Sequence, residues 1–226
     1  MDKQKFYVVG TPIGNMEDIT YRAVRILREV DMILCEDTRV TLNLLNKYEI
    51  KNTTMSYHSQ SEISKVQKIL DLIQEGKTLA LVSDAGTPTI SDPGSMLIAK
   101  IRETFPELEI IAIPGPSAFV SALSVAGLHS AEFTFLGFLP HKKGRETLFK
   151  EIATSRRVMV FYESPHRIMK TLESLKKFAP AKKVVIAREL TKIFEQIVTG
   201  LPEEVEKYFL KNADKVRGEF VVMVSP

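Results

Sequence analysis

Through its first 113 residues the chain repeats one unit: a short apolar run rich in β-branched residues, a polar turn, then a segment whose apolar side chains recur every three or four positions. The runs fall at residues 6–9, 32–35, 53–57, 78–82 and 109–113, and the periodic segments at 19–30, 40–48, 63–75 and 95–104. A hairpin reverses the chain, whereas a helical crossover returns it to start the next strand in the same sense, so strands joined this way lie parallel. An α/β domain on a largely parallel sheet is therefore expected. Pro114-Gly115-Pro116-Ser117 then interrupts the rhythm with a strong breaker that ends in a residue suited to capping a helix. The boundary is placed there, giving two α/β domains, 1–116 and 117–226. In the second, strands are expected at 133–138, 158–162, 183–188, 194–199 and 219–224, with helices at 117–126, 145–154, 166–178 and 202–212. The consecutive strands at its end favour a mixed sheet.

Composition narrows the class. With 44% hydrophobic and 26% charged residues, the 226-residue chain has enough apolar material for a core and is neither disordered nor fibrous. No stretch approaches the roughly 18 consecutive apolar residues of a membrane helix. Met1-Asp2-Lys3-Gln4-Lys5 enters the first strand without a signal-peptide apolar region, so a cytoplasmic protein without membrane contact is expected. The single cysteine, Cys35, excludes a disulfide within the chain and a multi-cysteine zinc site, and the four histidines show no ligand spacing. Charge is unevenly spread: residues 1–139 carry 13 Lys/Arg against 17 Asp/Glu, and residues 140–226 carry 18 against 11. A second half of net charge +7 suits a polyanion, and equally a solvated lysine-rich surface.

Glycine, proline, aspartate and small hydroxyl residues gather in loops after the expected strands, the edge at which open α/β sheets bind ligands. Gly10-Thr11-Pro12-Ile13-Gly14-Asn15 lacks the G-x-G-x-x-G spacing, and Pro12 removes an amide donor, so the loop suits a close backbone approach to a flat ligand better than a phosphate cradle. The loop from Ser83 to Gly94 holds more turn formers than a connection requires. Within it Asp84 can accept from a ligand amine or hydroxyl, while Asp92, ahead of Pro93-Gly94, is assigned to capping a helix. Glu36-Asp37-Thr38-Arg39 places two carboxylates and a guanidinium at the same edge, for proton transfer, for gripping a polar substrate, or as a local salt bridge. Cys35 reads as a small core residue. In the second half, His166 in Phe161-Tyr162-Glu163-Ser164-Pro165-His166-Arg167 is an acid, a base, a phosphate contact or a surface residue. Ala187-Arg188-Glu189-Leu190-Thr191-Lys192 sets cations and a carboxylate beside the next strand, and His141-Lys142-Lys143-Gly144-Arg145 is a basic loop suited to phosphates.

Apart from the basic loop 141–145, these strings, with Val9 and Cys35 leading the first two, together with Pro114-Gly115-Pro116-Ser117-Ala118, Gly137-Phe138-Leu139-Pro140 and Arg217-Gly218-Glu219-Phe220-Val221, resemble the tetrapyrrole-methylase family of class III methyltransferases, which use S-adenosylmethionine. Eight strings in the family's order, covering residues 5–224, make the resemblance specific. Within the family they are most similar to members that 2′-O-methylate a cytidine of 16S rRNA in the small ribosomal subunit. The resemblance implies a homodimer and a donor cleft between two α/β domains. It implies donor binding by Pro12, Gly14, Asp84, Gly86, Pro88, Ser117 and Ala118, with Tyr162 closing the pocket. Two departures stand out: Phe194 occupies a place where a histidine is common, and no extension follows Pro226, so RNA contacts made by such an extension in longer relatives are not expected. A ribose hydroxyl is a poor nucleophile and needs help to lose its proton. Asp37 or Glu163 is expected to orient or deprotonate it, with Arg39 and His166 in the same group, unless these charges only tie the domains together. Lys142, Lys143, Arg145, Arg167 and Lys192 are the expected RNA contacts. The competing readings are a small-molecule, tetrapyrrole-type methylase and a non-catalytic RNA-binding assembly factor.

Overall fold

The computed structural model describes residues 4–57, 63–92, 94–129 and 131–226; the first three residues, His58 and Pro93 lie outside the described set. The chain divides into two compact units, Met1–Ser117 and Ala118–Pro226. No helix among the described residues is long and apolar enough to cross a membrane.

The first unit holds β1 (Lys5–Val9), α1 (Tyr21–Glu29), β2 (Met32–Cys35), α2 (Thr38–Lys47), β3 (Thr54–Ser56), α3 (Ile63–Gln74), β4 (Leu79–Leu81), α4 (Ser95–Thr104) and β5 (Glu109–Ile113). Its strands lie in the order β3-β2-β4-β1-β5, every pair parallel. Side chains alternate across the sheet. Val9, Ile33, Cys35, Ala80 and Ile113 pack under α1 and α2, while Phe6, Leu34, Leu79 and Leu81 pack under α3 and α4. Both faces are covered, which is why these strands read as continuous apolar runs and not as alternating ones.

Helix boundaries shift where caps decide them. Helix α1 starts at Tyr21, two residues later than its apolar period suggests, because the Thr20 hydroxyl accepts the Ala23 N–H at 3.1 Å. Helix α2 starts two residues early because Asp37 caps it. Asp92 is corrected: the cap of α4 is Gly94, in the left-handed region, with no side-chain cap bond. Asp92 is instead hydrogen-bonded by Ser83.

The second unit holds α5 (Ala118–Val125), β6 (Phe133–Phe138), α6 (Arg145–Thr154), β7 (Val158–Glu163), α7 (Ile168–Phe178), β8 (Val184–Arg188), β9 (Gln196–Gly200), α8 (Pro202–Lys211) and β10 (Phe220–Val224). The order is β6-β7-β10-β8-β9, with β6 parallel to β7 and every other pair antiparallel. The sheet is mixed, as its sequence suggests. Helices α6, α7 and α8 cover one face, where Phe149, Leu172 and Phe209 meet Phe161, Ile186 and Val222. Helix α7 begins only at Ile168, because Pro165 to Arg167 form a turn in which the Arg167 N–H donates to the Ser164 carbonyl at 3.0 Å. Strand β9 begins at Gln196, two residues later than expected, after a loop in which Glu189 and Thr191 take φ of 51° and 66°.

Candidate functional site

In the first unit, β1 and β4 are neighbours whose following helices cover opposite faces of the sheet. The loops after them diverge at such a junction and leave a crevice at the strand ends. Three loops are stitched together there. The Thr11 N–H donates to the Gly86 carbonyl at 2.9 Å, and the Gly86 N–H returns to the Thr11 carbonyl at 3.1 Å. The buried Thr11 hydroxyl donates to the Ser83 carbonyl at 3.2 Å, and the Thr87 hydroxyl to the Pro116 carbonyl at 3.2 Å. Gly10 and Gly115 touch backbone to backbone: a Cβ on Gly10 would stand 2.7 Å from the Gly115 Cα.

These loops line a cavity of about 170 Å³ whose walls include Pro12, Gly14, Met16, Thr41, Leu44 and Asp84. Gly86 and Pro88 are buried in the same loop as Asp84, and Ser117 and Ala118 are half-buried at the start of α5. The loop after β4 is strained. Gly86, Thr89, Ser91 and Gly94 all have positive φ, from 62° to 118°, and two of them carry side chains that disfavour it.

Beside the cavity the sheet edge is acidic, and its carboxylates are not equivalent. Asp37 is committed to α2: its carboxylate accepts the Arg39 backbone N–H at 2.8 Å and the Arg39 Nε–H at 3.0 Å. The Arg39 guanidinium, itself exposed, holds that carboxyl down at about 2. Asp84 accepts the Asp37 N–H at 3.0 Å with one oxygen. Glu36 is half-buried and has no hydrogen-bond or ion-pair partner among the described residues. Burial, then the carboxylates of Asp84, Asp92 and Asp37, push its carboxyl above the ordinary glutamate range. Burial also raises Asp92, against its Ser83 hydrogen bond. Cys35 is fully buried, with a thiol pushed up mainly by burial, which suits an inert core residue.

In the second unit some of the expected site residues are held by charged and polar partners, and others are exposed. The Glu163 side chain is fully buried. One oxygen accepts the Ser164 N–H at 2.9 Å and the Arg167 Nε–H at 2.7 Å, and the other accepts the Thr171 hydroxyl at 2.6 Å. Arg167 spends its remaining reach on the Leu139 carbonyl at 2.9 Å, and Arg145 lies against Thr171, the Pro140 carbonyl and the Phe149 ring. Arg145 and Arg167, expected as phosphate contacts, are held within the unit as clamps that fasten the 139–145 loop to β7 and α7. Lys192, also expected as an RNA contact, is held likewise. Its ammonium is bound by Glu189 at 3.0 Å and Glu219 at 2.9 Å, and although burial opposes its charge, those two carboxylates raise its pKa. His166, Lys142 and Lys143 are exposed. Tyr162 is half-buried, with Phe135 and Phe138 at 5.0 and 5.4 Å between ring centroids.

Several members of the first-unit site escape a linear reading. Thr41 reaches the cavity because it lies one helical turn after Asp37, and its N–H donates to the Asp37 carbonyl at 3.1 Å. Four-residue spacing from the cap is the signal that could have found it. The contact of Gly10 with Gly115 leaves no local signal, because it joins residues at opposite ends of the unit.

The model of the Tetrapyrrole (Corrin/Porphyrin) Methylases matches residues 5–206. A ribosomal RNA small subunit methyltransferase I of Thermotoga maritima is 45% identical over 98% of this chain and 98% of its own length. The protein of that name from Vibrio cholerae is 45% identical over 96% of this chain and 76% of its own length. Among solved structures, a uroporphyrin-III-C-methyltransferase from Thermus thermophilus superposes with a TM-score of 0.68 at 18% identity, covering 99% of this chain and 94% of its own. The methyltransferase CobJ does so with 0.70 at 20% identity, covering 98% and 93%. The fold is shared across the two kinds of enzyme, while these two sequence relatives carry the ribosomal RNA name; the chain belongs to the tetrapyrrole (corrin/porphyrin) methylase family.

Proposed function

We propose that the chain is an S-adenosylmethionine-dependent methyltransferase acting on the 2′-OH of a cytidine ribose in 16S rRNA of the small ribosomal subunit, as a cytoplasmic homodimer. The names of its 45%-identical relatives favour RNA over a tetrapyrrole. The observation that carries the chemistry is Glu36, an unpaired carboxylate at the sheet edge beside Asp84, which lines the cavity.

The residues present fit the donor. Pro12, Ile13 and Leu44 offer apolar walls, Asp84 keeps acceptor capacity beyond its one bond from Asp37, and the acidic edge suits a cationic ligand. When bound, S-adenosylmethionine supplies a methyl group made electrophilic by its sulfonium sulfur. The loops 10–15, 83–88 and 114–118 orient it and exclude water. Glu36 accepts the hydroxyl proton of the ribose. A base works best when its pKa approaches the working pH, so the raised Glu36 is better placed than Asp37, held at about 2, or Glu163, whose oxygens are occupied. Asp37 and Arg39 then fix the start of α2 behind it, while Lys142, Lys143 and His166 meet phosphates.

The test is Glu36→Gln. Calorimetry with S-adenosylmethionine and the melting temperature stay at wild-type values, while single-turnover methylation of undermethylated small subunits falls by about 100-fold. In the wild type, kcat/KM rises with pH as Glu36 loses its proton, through a midpoint above the ordinary glutamate range, and the variant lacks that limb. Loss of rate in Asp37→Asn but not in Glu36→Gln would move the base to Asp37. A wild type that neither binds the donor nor methylates small subunits would overturn the whole reading. Light scattering at micromolar concentration is expected to give twice the 25.5 kDa protomer mass, and a value near one protomer would refute the homodimer.

A further inference from the structure

Strand β6 is an edge strand, and its face away from α6, α7 and α8 carries a row of aromatic rings. Phe133 and Phe135, two residues apart, share that face with Tyr162 of β7, whose neighbours Phe161 and Glu163 turn to the helices. Phe119 of α5 closes over the row. Its ring lies 6.0 Å from Phe133 and is stacked on Phe135 at 4.4 Å, and Tyr162 follows at 5.0 Å from Phe135 and 5.4 Å from Phe138. Phe138 belongs to this row only because the strand is irregular. The register runs Phe135 to Val160 and then Phe138 to Tyr162, so β6 spends one residue more than β7, and Gly137 supplies a φ of 61° at the bulge. In a regular strand Gly137 would face Tyr162 and Phe138 would turn toward the helices. The bulge thus returns a bulky ring to the open face, where it is 58% exposed; Phe133 at the other end is 42% exposed.

Two rings left this open on one sheet face, in a unit that fully buries Phe149, Phe161, Phe209 and Phe220, need an occupant. Charge selects among occupants. The chain leaves Phe138 directly into the exposed His141-Lys142-Lys143 turn, and Phe133 pairs with Val158, which follows the exposed Arg156 and Arg157. Arg157 is partly neutralised by Glu132 at 2.8 Å, while Lys142, Lys143 and Arg156 have no ion-pair partner among the described residues. Exposed rings between cations are the arrangement that takes unpaired nucleotides: every base has a face to stack, and its backbone meets the lysines and arginines. A second copy of the chain would bring like charges together at the same flanks.

We infer that the aromatic row of β6, with Phe133 and Phe138 as its open ends, is a stacking platform for a single-stranded segment of the substrate RNA. This rests on the RNA-methyltransferase reading and adds the surface that holds the nucleotides near the target. The platform explains why an edge strand is bulged and aromatic where a charged edge would be the ordinary protection.

The test uses the full chain, a fluorescently labelled single-stranded oligocytidine, and undermethylated small subunits. Phe138→Ala and Phe133→Ala each weaken oligonucleotide binding by about 5-fold or more, the scale of one lost base stack. They raise KM for the subunits more than they lower kcat, and leave donor affinity and light-scattering mass unchanged. The salt dependence of binding keeps its slope in these variants, whereas Lys142→Ala with Lys143→Ala flattens it. Phe138→Leu, which keeps apolar bulk but no ring, separates stacking from packing and behaves like Phe138→Ala. Unchanged oligonucleotide affinity and subunit KM in a wild-type background that methylates subunits would overturn the platform and leave the enzyme reading intact. A drop in donor affinity would assign the row to the donor pocket, and a change in mass would assign it to an interface between copies; either overturns the inference.

Discussion

Glu163→Ala is expected to destabilise the second unit by about 3–5 kcal/mol, the cost of removing one partner from a buried ion pair. For a chain of this size that is a fall in melting temperature of roughly 6–20 °C. The loss is large because three groups depend on this carboxylate: the Arg167 fork, the Thr171 hydroxyl and the Ser164 N–H. Arg145, only 15% exposed in its side chain, stands 3.6 Å from the second oxygen and would remain as a cation without its counter-charge. Glu163→Gln keeps the shape and part of the hydrogen bonding but turns a donor toward a donor, so an intermediate fall is expected. Activity follows stability in both variants. A melting curve by circular dichroism beside single-turnover methylation decides the matter: a glutamine variant of unchanged melting temperature whose rate drops about 100-fold would return Glu163 to the role of base.

The same residue shows where a linear reading runs out. The four-residue step from Glu163 to Arg167 is visible in the sequence, and so is the cluster of charge at a strand end. What turns that cluster from a reactive edge into a buried clamp is Thr171 on the next turns of α7 and Arg145 on another helix, brought in by packing. Asp37 is similar. Two carboxylates and an arginine in sequence do not say which one caps the helix, and the cap, once taken by Asp37, leaves Glu36 unpaired. Elements were more legible than roles, because strand runs and helical periods are local, whereas a carboxylate's chemistry depends on partners supplied by the fold. Even so, Asp84, Pro12 and Gly14 meet at one cavity because loops after neighbouring strands of a parallel sheet converge, and that much follows from the order of elements. The bulge at Gly137 lies at the opposite extreme, since register exists only once β6 and β7 are paired.

Gly115→Ala is the second large effect, and it acts on the proposed donor site by displacement. A Cβ at this position would stand 2.8 Å from both Cα and C of Gly10, atoms of a backbone that has no rotamer to move aside. Neither Gly10 nor Gly115 has a positive φ, so the substitution is resisted by contact alone and not by backbone conformation. The loops must part, and the bonds that register them sit close by: Gly10 N–H to the Ile113 carbonyl at 3.1 Å, and the Thr87 hydroxyl to the Pro116 carbonyl at 3.2 Å. Overpacking of this kind costs about 1–3 kcal/mol. Its larger consequence is for positioning the donor, since a misplacement of about 1 Å in a positioning loop is enough for a 100-fold effect on rate. Single-turnover methylation should therefore fall by roughly 100-fold or more in Gly115→Ala and in Gly10→Ala, with weakened S-adenosylmethionine binding by calorimetry. The double variant should be little worse than either, because the two glycines share one contact and their effects cannot add. Gly76→Ala is the control. Its Cβ would meet nothing within 4 Å, and its φ of +84° makes it a test of backbone strain alone, so it lowers melting temperature without touching donor affinity. Donor affinity within about threefold of wild type in Gly115→Ala would mean that the 10–15 and 114–118 loops do not hold the donor together, and the site would have to be sought away from their junction.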